Sequence, residues 1–113
     1  MPRSEDNAGH RHARLEDVIL AELRSLFRDD VSDPALRAVR IARLVLSVDY
    51  RHVRVHYVLS PEEGPASPIR LVEARLRHAT PFLRARLAEA VELKRLPDLT
   101  FVFDAATPAG DAP

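Results

Sequence analysis

Five arginines stand at helical spacing in the second half of the chain: Arg70, Arg75, Arg77, Arg84 and Arg86. Arg70, Arg77 and Arg84 recur every seven residues and would form one row along a helix, with the other two on the opposite side. Arginine has a permanent charge and a planar fork of N–H donors, which suits phosphate groups. The alternative is an ordinary solvated helix face, on which Glu73 pairs with Arg77 one turn away.

The same segment contains a helix breaker. Its core-facing stripe consists of Ile69, Val72, Leu76, Ala79, Leu83, Leu87 and Ala90. Pro81 interrupts this stripe, and a proline inside a helix costs about 3 kcal/mol. Because Thr80 can cap a new helix that starts at Pro81, we predict two helices that meet in a kink at Ala79, Thr80 and Pro81. A helix start at this point would present backbone N–H groups to a phosphate.

Patterns typical of enzymes and metal sites are absent from the sequence. There are no cysteines, and the three glycines are too widely separated to build a phosphate-binding loop. His52 and His56 share a strand face, but no third ligand accompanies them. The acidic residues in 29–33 are typical of a solvated turn. We therefore predict a protein that is not an enzyme and that needs no metal, cofactor or small-molecule substrate.

An amphipathic helix is predicted near the start of the chain. Its apolar residues are Leu15, Val18, Ile19, Leu23, Leu26 and Phe27. The helix should end before Pro34, because a proline disfavours helical backbone in the residue before it. Polar residues 1–10 and residues 105–113 are predicted to be disordered tails on either side of one domain, residues 11–104.

Two alternating segments follow and predict an antiparallel hairpin. With a turn at 49–52, Val48 lies opposite Val53, residue 46 opposite residue 55, and residue 44 opposite residue 57, so the apolar residues share one face. The other, outer face carries Arg43, Arg54, His56, Val45 and Val58. Val39 and Ile41 have the wrong parity, so either the first strand contains a bulge or its start lies outside the ladder.

A third alternating segment, residues 99–104, follows the arginine-rich helix. The element order is then helix, strand, strand, kinked helix, strand. Three strands and two helical segments form a single core only if the helices cover one face of the sheet. We therefore predict an α+β domain with a three-stranded sheet and helices on one face.

The charge is balanced overall but unevenly distributed. The chain has 17 basic and 17 acidic residues among 113. Residues 34–60 and 70–95 each carry an excess of four positive charges, so a neutral protein can still present a basic face to nucleic acid. The longest apolar run, residues 18–21, is too short to span a membrane, and no secretory signal precedes it. We therefore expect a cytoplasmic protein.

An ordered set of short motifs resembles the bacterial ribosome-binding factor A family over residues 11–104. The set consists of Arg11 and Arg14, Asp33-Pro34-x-Leu36, residues 45–50 (VLSVDY), residues 53–58 (VRVHYV), Ala79-x-x-Phe82-Leu83-Arg84, and Leu93-x-x-x-Pro97-x-Leu99-x-Phe101-x-x-Asp104. Two positions depart from the family pattern. Pro81 stands where the family usually has the glycine of an Ala-x-Gly kink, and Ala35 stands in place of an arginine.

The resemblance implies a type II KH-like fold that lacks the GxxG loop. It also implies a non-catalytic factor that binds free small (30S) ribosomal subunits and their ribosomal RNA during late 16S rRNA processing and leaves before translation begins. In some members of the family this role matters most in the cold. We expect this chain to act as a monomer.

For the RNA contact we single out the basic residues of the kinked helix: Arg75, Arg77, His78, Arg84 and Arg86. Arg43 and Arg54 of the outer sheet face are additional candidates. Their expected role is phosphate neutralisation and shape recognition. The competing hypothesis is a small protein–protein adaptor that uses the outer sheet face, where Val45 and Val58 lie.

Overall fold

Two long helices and three strands make up the fold. The structure is a computed structural model that describes residues 3–60, 68–93 and 95–104. The elements are α1 (Arg3–Asp29), a short 3₁₀ helix (Pro34–Leu36), β1 (Val39–Leu46), β2 (His52–Leu59), α2 (Ile69–Ala90) and β3 (Asp98–Phe103). This order agrees with the predicted one except at α2.

The sheet has the strand order β1-β2-β3. β1 and β2 pair antiparallel through a tight connection, whereas β2 and β3 run parallel. Parallel neighbours need a long crossover, and α2 supplies it. Both helices contribute to a single core on one face of the sheet. The predicted α+β class, with a KH-like arrangement that lacks GxxG, is confirmed.

The core consists of apolar side chains at the spacing that each element dictates. α1 contributes Ile19, Leu23 and Leu26, α2 contributes Val72, Leu76, Leu83 and Leu87, and the strands contribute alternate residues such as Val53, Val55 and Tyr57. This pattern gives helices with one apolar stripe and strands with one apolar face. No helix within the described ranges is long and apolar enough to cross a membrane.

The hairpin register differs from the predicted one by two residues. Leu46 pairs with Val53, and Leu44 with Val55. The shift preserves which face each side chain occupies, because side chains alternate with a period of two. Val48, however, was expected in the core and is 90% exposed.

The turn explains the difference in register. The Ser47 hydroxyl donates to Asp49 Oδ1 at 2.6 Å and accepts from the backbone N–H groups of Arg51 and His52. Because of these bonds the turn starts at Ser47, so β1 ends at Leu46 and Val48 lies in the turn. The same bonds also lower the pKa of Asp49: the Ser47 hydroxyl has the largest effect, and the Arg51 backbone N–H adds to it.

The bulge in β1 is confirmed. Ile41 pairs with Tyr57 and Arg43 with His56, so Ala42 is the extra residue between them. This insertion changes the parity and allows Val39 and Ile41 to be buried with the rest of the strand. The Arg24 guanidinium donates to the carbonyls of Ile41 and Ala42 and so binds the bulged backbone.

α1 starts earlier than the apolar spacing indicated. The helix begins at Arg3, so residues 3–10, predicted as part of a tail, are helical. The prediction was based on apolar residues, and these begin only at Leu15; a polar segment can continue a helix without adding to its buried stripe. Residues 1–2 and 105–113, the rest of the predicted tails, lie outside the described residues.

The prediction of two helices around Pro81 is wrong. α2 is one continuous helix, Ile69–Ala90, that contains this proline. The Thr80 hydroxyl does not cap a new helix; it donates to the carbonyl of Leu76 at 2.8 Å. Buried residues on both sides of the proline, Leu76 and Leu83, anchor the helix to the core and offset the local cost. Consequently, no helix N-terminus is available to a phosphate at this position.

Candidate nucleic-acid interface

The polar surface of α2 has two sides, as the spacing of its arginines predicted. Arg84 turns toward the segment that leads into β3, and Arg75 and Arg86 turn toward the end of α1. The partners on these two sides determine which cations remain available to a ligand.

On the α1 side, both predicted RNA-binding arginines are ion-paired. Arg86 Nη1 lies 2.6 Å from Asp30 Oδ2, and Arg75 Nη1 lies 3.5 Å from Asp33 Oδ2. Asp33 also caps the 3₁₀ helix by accepting from the backbone N–H of Ala35 at 3.0 Å. The acidic run that was expected to be solvated therefore joins the end of α1 to α2.

On the β3 side, Arg84 has a similar structural role. Its guanidinium donates to the carbonyl of Leu96 at 3.1 Å and lies 3.6 Å from Asp98 Oδ1. Its Nε atom is buried without a hydrogen-bond partner among the residues described. Arg84 thus ties α2 to the start of β3 and is only partly available to an external anion.

Arg77 and His78 remain exposed next to each other on α2. Within residues 3–60, 68–93 and 95–104, no carboxylate lies within ion-pair distance of Arg77, and the pair with Glu73 that the alternative interpretation required is not formed. The same part of the chain offers no carboxylate to Arg70, which lies in the same row of α2, two turns before Arg77. These side chains are therefore the cations of α2 that are most accessible to phosphate.

The outer sheet face carries the remaining predicted residues. Arg43 lies beside His56, and Arg54 lies between Val45 and Thr100. Arg43 Nη2 is 3.8 Å from Asp104 Oδ2, whereas the described residues place no carboxylate within 4 Å of Arg54. The pKa of His56 is lowered mainly by burial and further by the positive charges of Arg43 and Arg54, against an opposing effect of Asp104.

An exposed aromatic residue, Phe82, was missed by the sequence analysis. It is 43% exposed on α2, one turn after His78, and the guanidinium of Arg86 lies 5.8 Å from its ring centroid. The sequence feature that could have identified Phe82 as exposed is its position outside the apolar stripe of α2, next to the buried Leu83. Exposed aromatic rings beside cations provide stacking platforms for unpaired bases.

The ion-paired arginines of α2 can still be reached by an external anion. In the part of the chain that the structure describes, no group of three or more histidine or acidic side chains is placed to hold a metal ion. The ion pairs of Arg75, Arg84 and Arg86 involve arginine side chains that are 39–49% exposed. Such exposed pairs contribute only about 0–1 kcal/mol, so a phosphate can replace the carboxylate.

Comparisons with known proteins agree on one family. The family model for ribosome-binding factor A matches residues 11–112. The ribosome-binding factor A of Heliobacterium modesticaldum is 35% identical over 91% of this chain and 83% of its own length. That of Nitrosomonas europaea is 34% identical over 88% of this chain and 83% of its own length.

Solved structures agree with this result. The crystal structure of ribosome-binding factor A from Thermus thermophilus matches with a TM-score of 0.58 and 26% identity, over 83% of this chain and 92% of that one. A homology model of the Thermus thermophilus factor, fitted into the cryo-EM map of its complex with the 30S subunit, matches with a TM-score of 0.61 and 27% identity, over 88% and 98% of the two chains. Sequence motifs, fold and relatives together show that this chain belongs to the ribosome-binding factor A family.

Proposed function

We propose that this protein binds the small (30S) ribosomal subunit, with the exposed side of α2 contacting phosphates of its ribosomal RNA. The observation that carries the proposal is Arg77, an exposed cation beside His78 with no ion pair to another described residue. The related Thermus thermophilus factor, described in a complex with the 30S subunit, supports the choice of partner.

The candidate residues contribute unequally in this proposal. Arg77, His78 and Arg54 meet phosphate directly, because no ion pair to another described residue has to be broken first. Arg43, Arg75, Arg84 and Arg86 contribute only where a phosphate replaces their carboxylate partner. All these side chains contact the RNA backbone, so they position the protein according to the shape and charge of the RNA and not according to its base sequence.

The biological role that we propose is a binding role in late 16S rRNA processing and subunit assembly. The protein would act in the cytoplasm as a monomer and leave the subunit before translation begins. Membership of the ribosome-binding factor A family supports this assignment. The surface of α2 supports it as well, since it offers cations and an aromatic ring, the two features that RNA-binding surfaces combine.

Co-sedimentation with purified 30S subunits at two salt concentrations tests the proposal. We expect the wild-type protein to sediment with the subunits and to dissociate as salt rises, because phosphate contacts release counterions. Arg77→Glu should weaken binding at low salt. Arg28→Glu is the control for a change of charge elsewhere on the surface, since Arg28 is an exposed arginine of α1 that is paired with Asp29. Unchanged sedimentation of Arg77→Glu contradicts the proposed surface.

The competing function, a protein–protein adaptor, is favoured by one observation. Val45 is 44% exposed on the outer sheet face, beside Arg54. An adaptor of this kind predicts binding that tolerates salt and is lost in Val45→Asp but kept in Arg77→Glu. The same sedimentation experiment therefore separates the two functions.

A further inference from the structure

An open cleft of about 380 Å³ lies between α2 and β3. Its walls include Glu73 and Arg77 from α2, Thr100 and Phe101 from β3, and Tyr57 from the central strand. The volume is within the range of about 300–1,000 Å³ that is usual for sites that bind small organic groups. Because Arg77 belongs to both the cleft and the proposed RNA surface, the two are continuous.

Tyr57 brings an unused donor to this cleft. The residue is fully buried, and its hydroxyl has no hydrogen-bond partner among the described residues. Burial raises the pKa of Tyr57, and the negative charge of Glu73, which lines the same cleft, raises it further. A buried polar atom without a partner is uncommon and suggests that a ligand completes its bonding.

The polar groups of the cleft point to a specific kind of ligand. Tyr57 and Arg77 offer donors, and Glu73 offers an acceptor one helical turn from Arg77, to which it is not ion-paired. A carboxylate at the site disfavours a phosphate. The apolar walls, which include Leu76 and Phe101, suit a flat ring. Unpaired bases have this combination of a ring with donors and acceptors along one edge.

We propose that this cleft receives one unpaired guanine or cytosine of the RNA to which α2 binds, an inference that rests on the proposed function. Both bases carry an amino group and a carbonyl oxygen on the two ring carbons that flank one ring nitrogen. The amino group donates to the Glu73 carboxylate, and the carbonyl oxygen accepts from the Tyr57 hydroxyl, which leaves Arg77 to a phosphate of the same RNA. Adenine has no carbonyl oxygen and would leave the Tyr57 hydroxyl without an acceptor. Uracil has no amino group and would leave the Glu73 carboxylate without that donor.

Titration of the full chain with the four nucleoside 5′-monophosphates, followed by NMR of the backbone amides, tests this inference. We expect the guanosine and cytidine nucleotides to shift the amide signals of Thr80 and Thr100 at lower concentration than the other two. Inorganic phosphate is the control for binding to Arg77 through the phosphate group alone, so only the shift that a nucleotide produces beyond that of phosphate reports on the cleft. Shifts of equal size with all four nucleotides, or shifts no larger than those with phosphate, would overturn the proposal.

Tyr57→Phe is the informative variant, because it removes only the hydroxyl. It should weaken binding of the preferred nucleotides by about 3- to 10-fold, the effect of one hydrogen bond. Its unfolding midpoint should be equal to or above that of the wild type, because the hydroxyl has no partner to lose. A lower midpoint would show that the hydroxyl has a structural partner and would contradict the proposal.

Glu73→Gln provides a second, exposed variant that keeps the shape of the side chain. It should reduce the preference for guanine and cytosine, since an amide accepts more weakly than a carboxylate. If Tyr57→Phe and Glu73→Gln bind nucleotides like the wild type while Arg77→Glu loses 30S binding, the cleft proposal fails and the proposed function stands. If the wild-type protein binds no 30S subunits, the proposed function fails whatever the nucleotides do.

Discussion

The carboxylate of Asp30 lies 2.6 Å from the guanidinium of Arg86, so an ion pair joins the end of α1 to α2. Together with the pair between Asp33 and Arg75, it gives structural roles to two arginines that the sequence alone assigned to RNA binding. The basic surface available to RNA is therefore smaller than the count of arginines indicates, and it is centred on Arg77.

Replacement of Arg86 should affect stability more than replacement of Arg77. We expect Arg86→Gln to lower the free energy of unfolding by about 0.5–1 kcal/mol, the upper range for a half-exposed ion pair, and Arg77→Gln to leave it unchanged. Urea denaturation of both variants, and of Asp30→Asn alone and combined with Arg86→Gln, measures the coupling. Additive effects of Asp30→Asn and Arg86→Gln would show that the ion pair contributes nothing in solution.

Replacement of Pro81 should stabilise the protein. Proline lacks the N–H that would bond to the carbonyl of Arg77, yet α2 continues through it as a helix. We expect Pro81→Ala to raise the free energy of unfolding by about 1–3 kcal/mol, because alanine restores this bond and has a higher helix propensity. Thermal and urea unfolding would measure the change. A destabilised variant would mean that α2 requires the proline for its packing.

The spacing of apolar residues predicted the elements and the core well, because a helix or strand that is buried on one side must carry apolar residues at its own period. The α1 stripe and the alternation in the strands are visible as apolar spacing, and the wrong parity of Val39 and Ile41 left a bulge as one of two interpretations, which the structure then placed at Ala42. Ser47 and Pro81 show the limit of this spacing. Side-chain hydrogen bonds make the turn begin at Ser47 instead of at residue 49. Burial of Leu76 and Leu83 keeps α2 continuous across Pro81, although a proline inside a helix normally interrupts it.

The candidate site was harder to predict than the fold. Whether an arginine is available to a ligand depends on which carboxylates the tertiary structure brings near it. Asp30 and Asp33 are more than 40 residues from Arg75 and Arg86 in sequence, so no local pattern reveals their pairing. The cleft at Tyr57 likewise depends on three elements that meet only in the folded protein.

The outer edge of β1 depends on side chains of α1. Glu16 Oε2 accepts from the backbone N–H of Leu46 at 2.9 Å, and this bond substitutes for a neighbouring strand. We expect Glu16→Ala to lower the free energy of unfolding by about 1–2 kcal/mol and to speed hydrogen exchange of the Leu46 amide. Asp17→Ala, at the exposed next position, is the control. Equal effects of the two replacements would refute a specific role for this bond.

His56 should make stability depend on pH in a defined direction. Its pKa in the folded protein is below the usual 6.5, first because of burial and then because of Arg43. Between the folded pKa and about 6.5 the unfolded chain binds more protons, so stability is greatest above this window and falls as the pH drops through it. The loss between about pH 7.5 and pH 5 should be smaller in His56→Gln. The same loss in both proteins would assign the effect to other groups.

Crosslinking of the protein to RNA in cells tests the central claim most directly, if the bound RNA is sequenced and the crosslinked peptide is mapped. We predict enrichment of small-subunit ribosomal RNA, with the crosslinks on α2 around Arg77 and His78. Crosslinks confined to the outer sheet face around Val45, or no enrichment of ribosomal RNA, would contradict this claim.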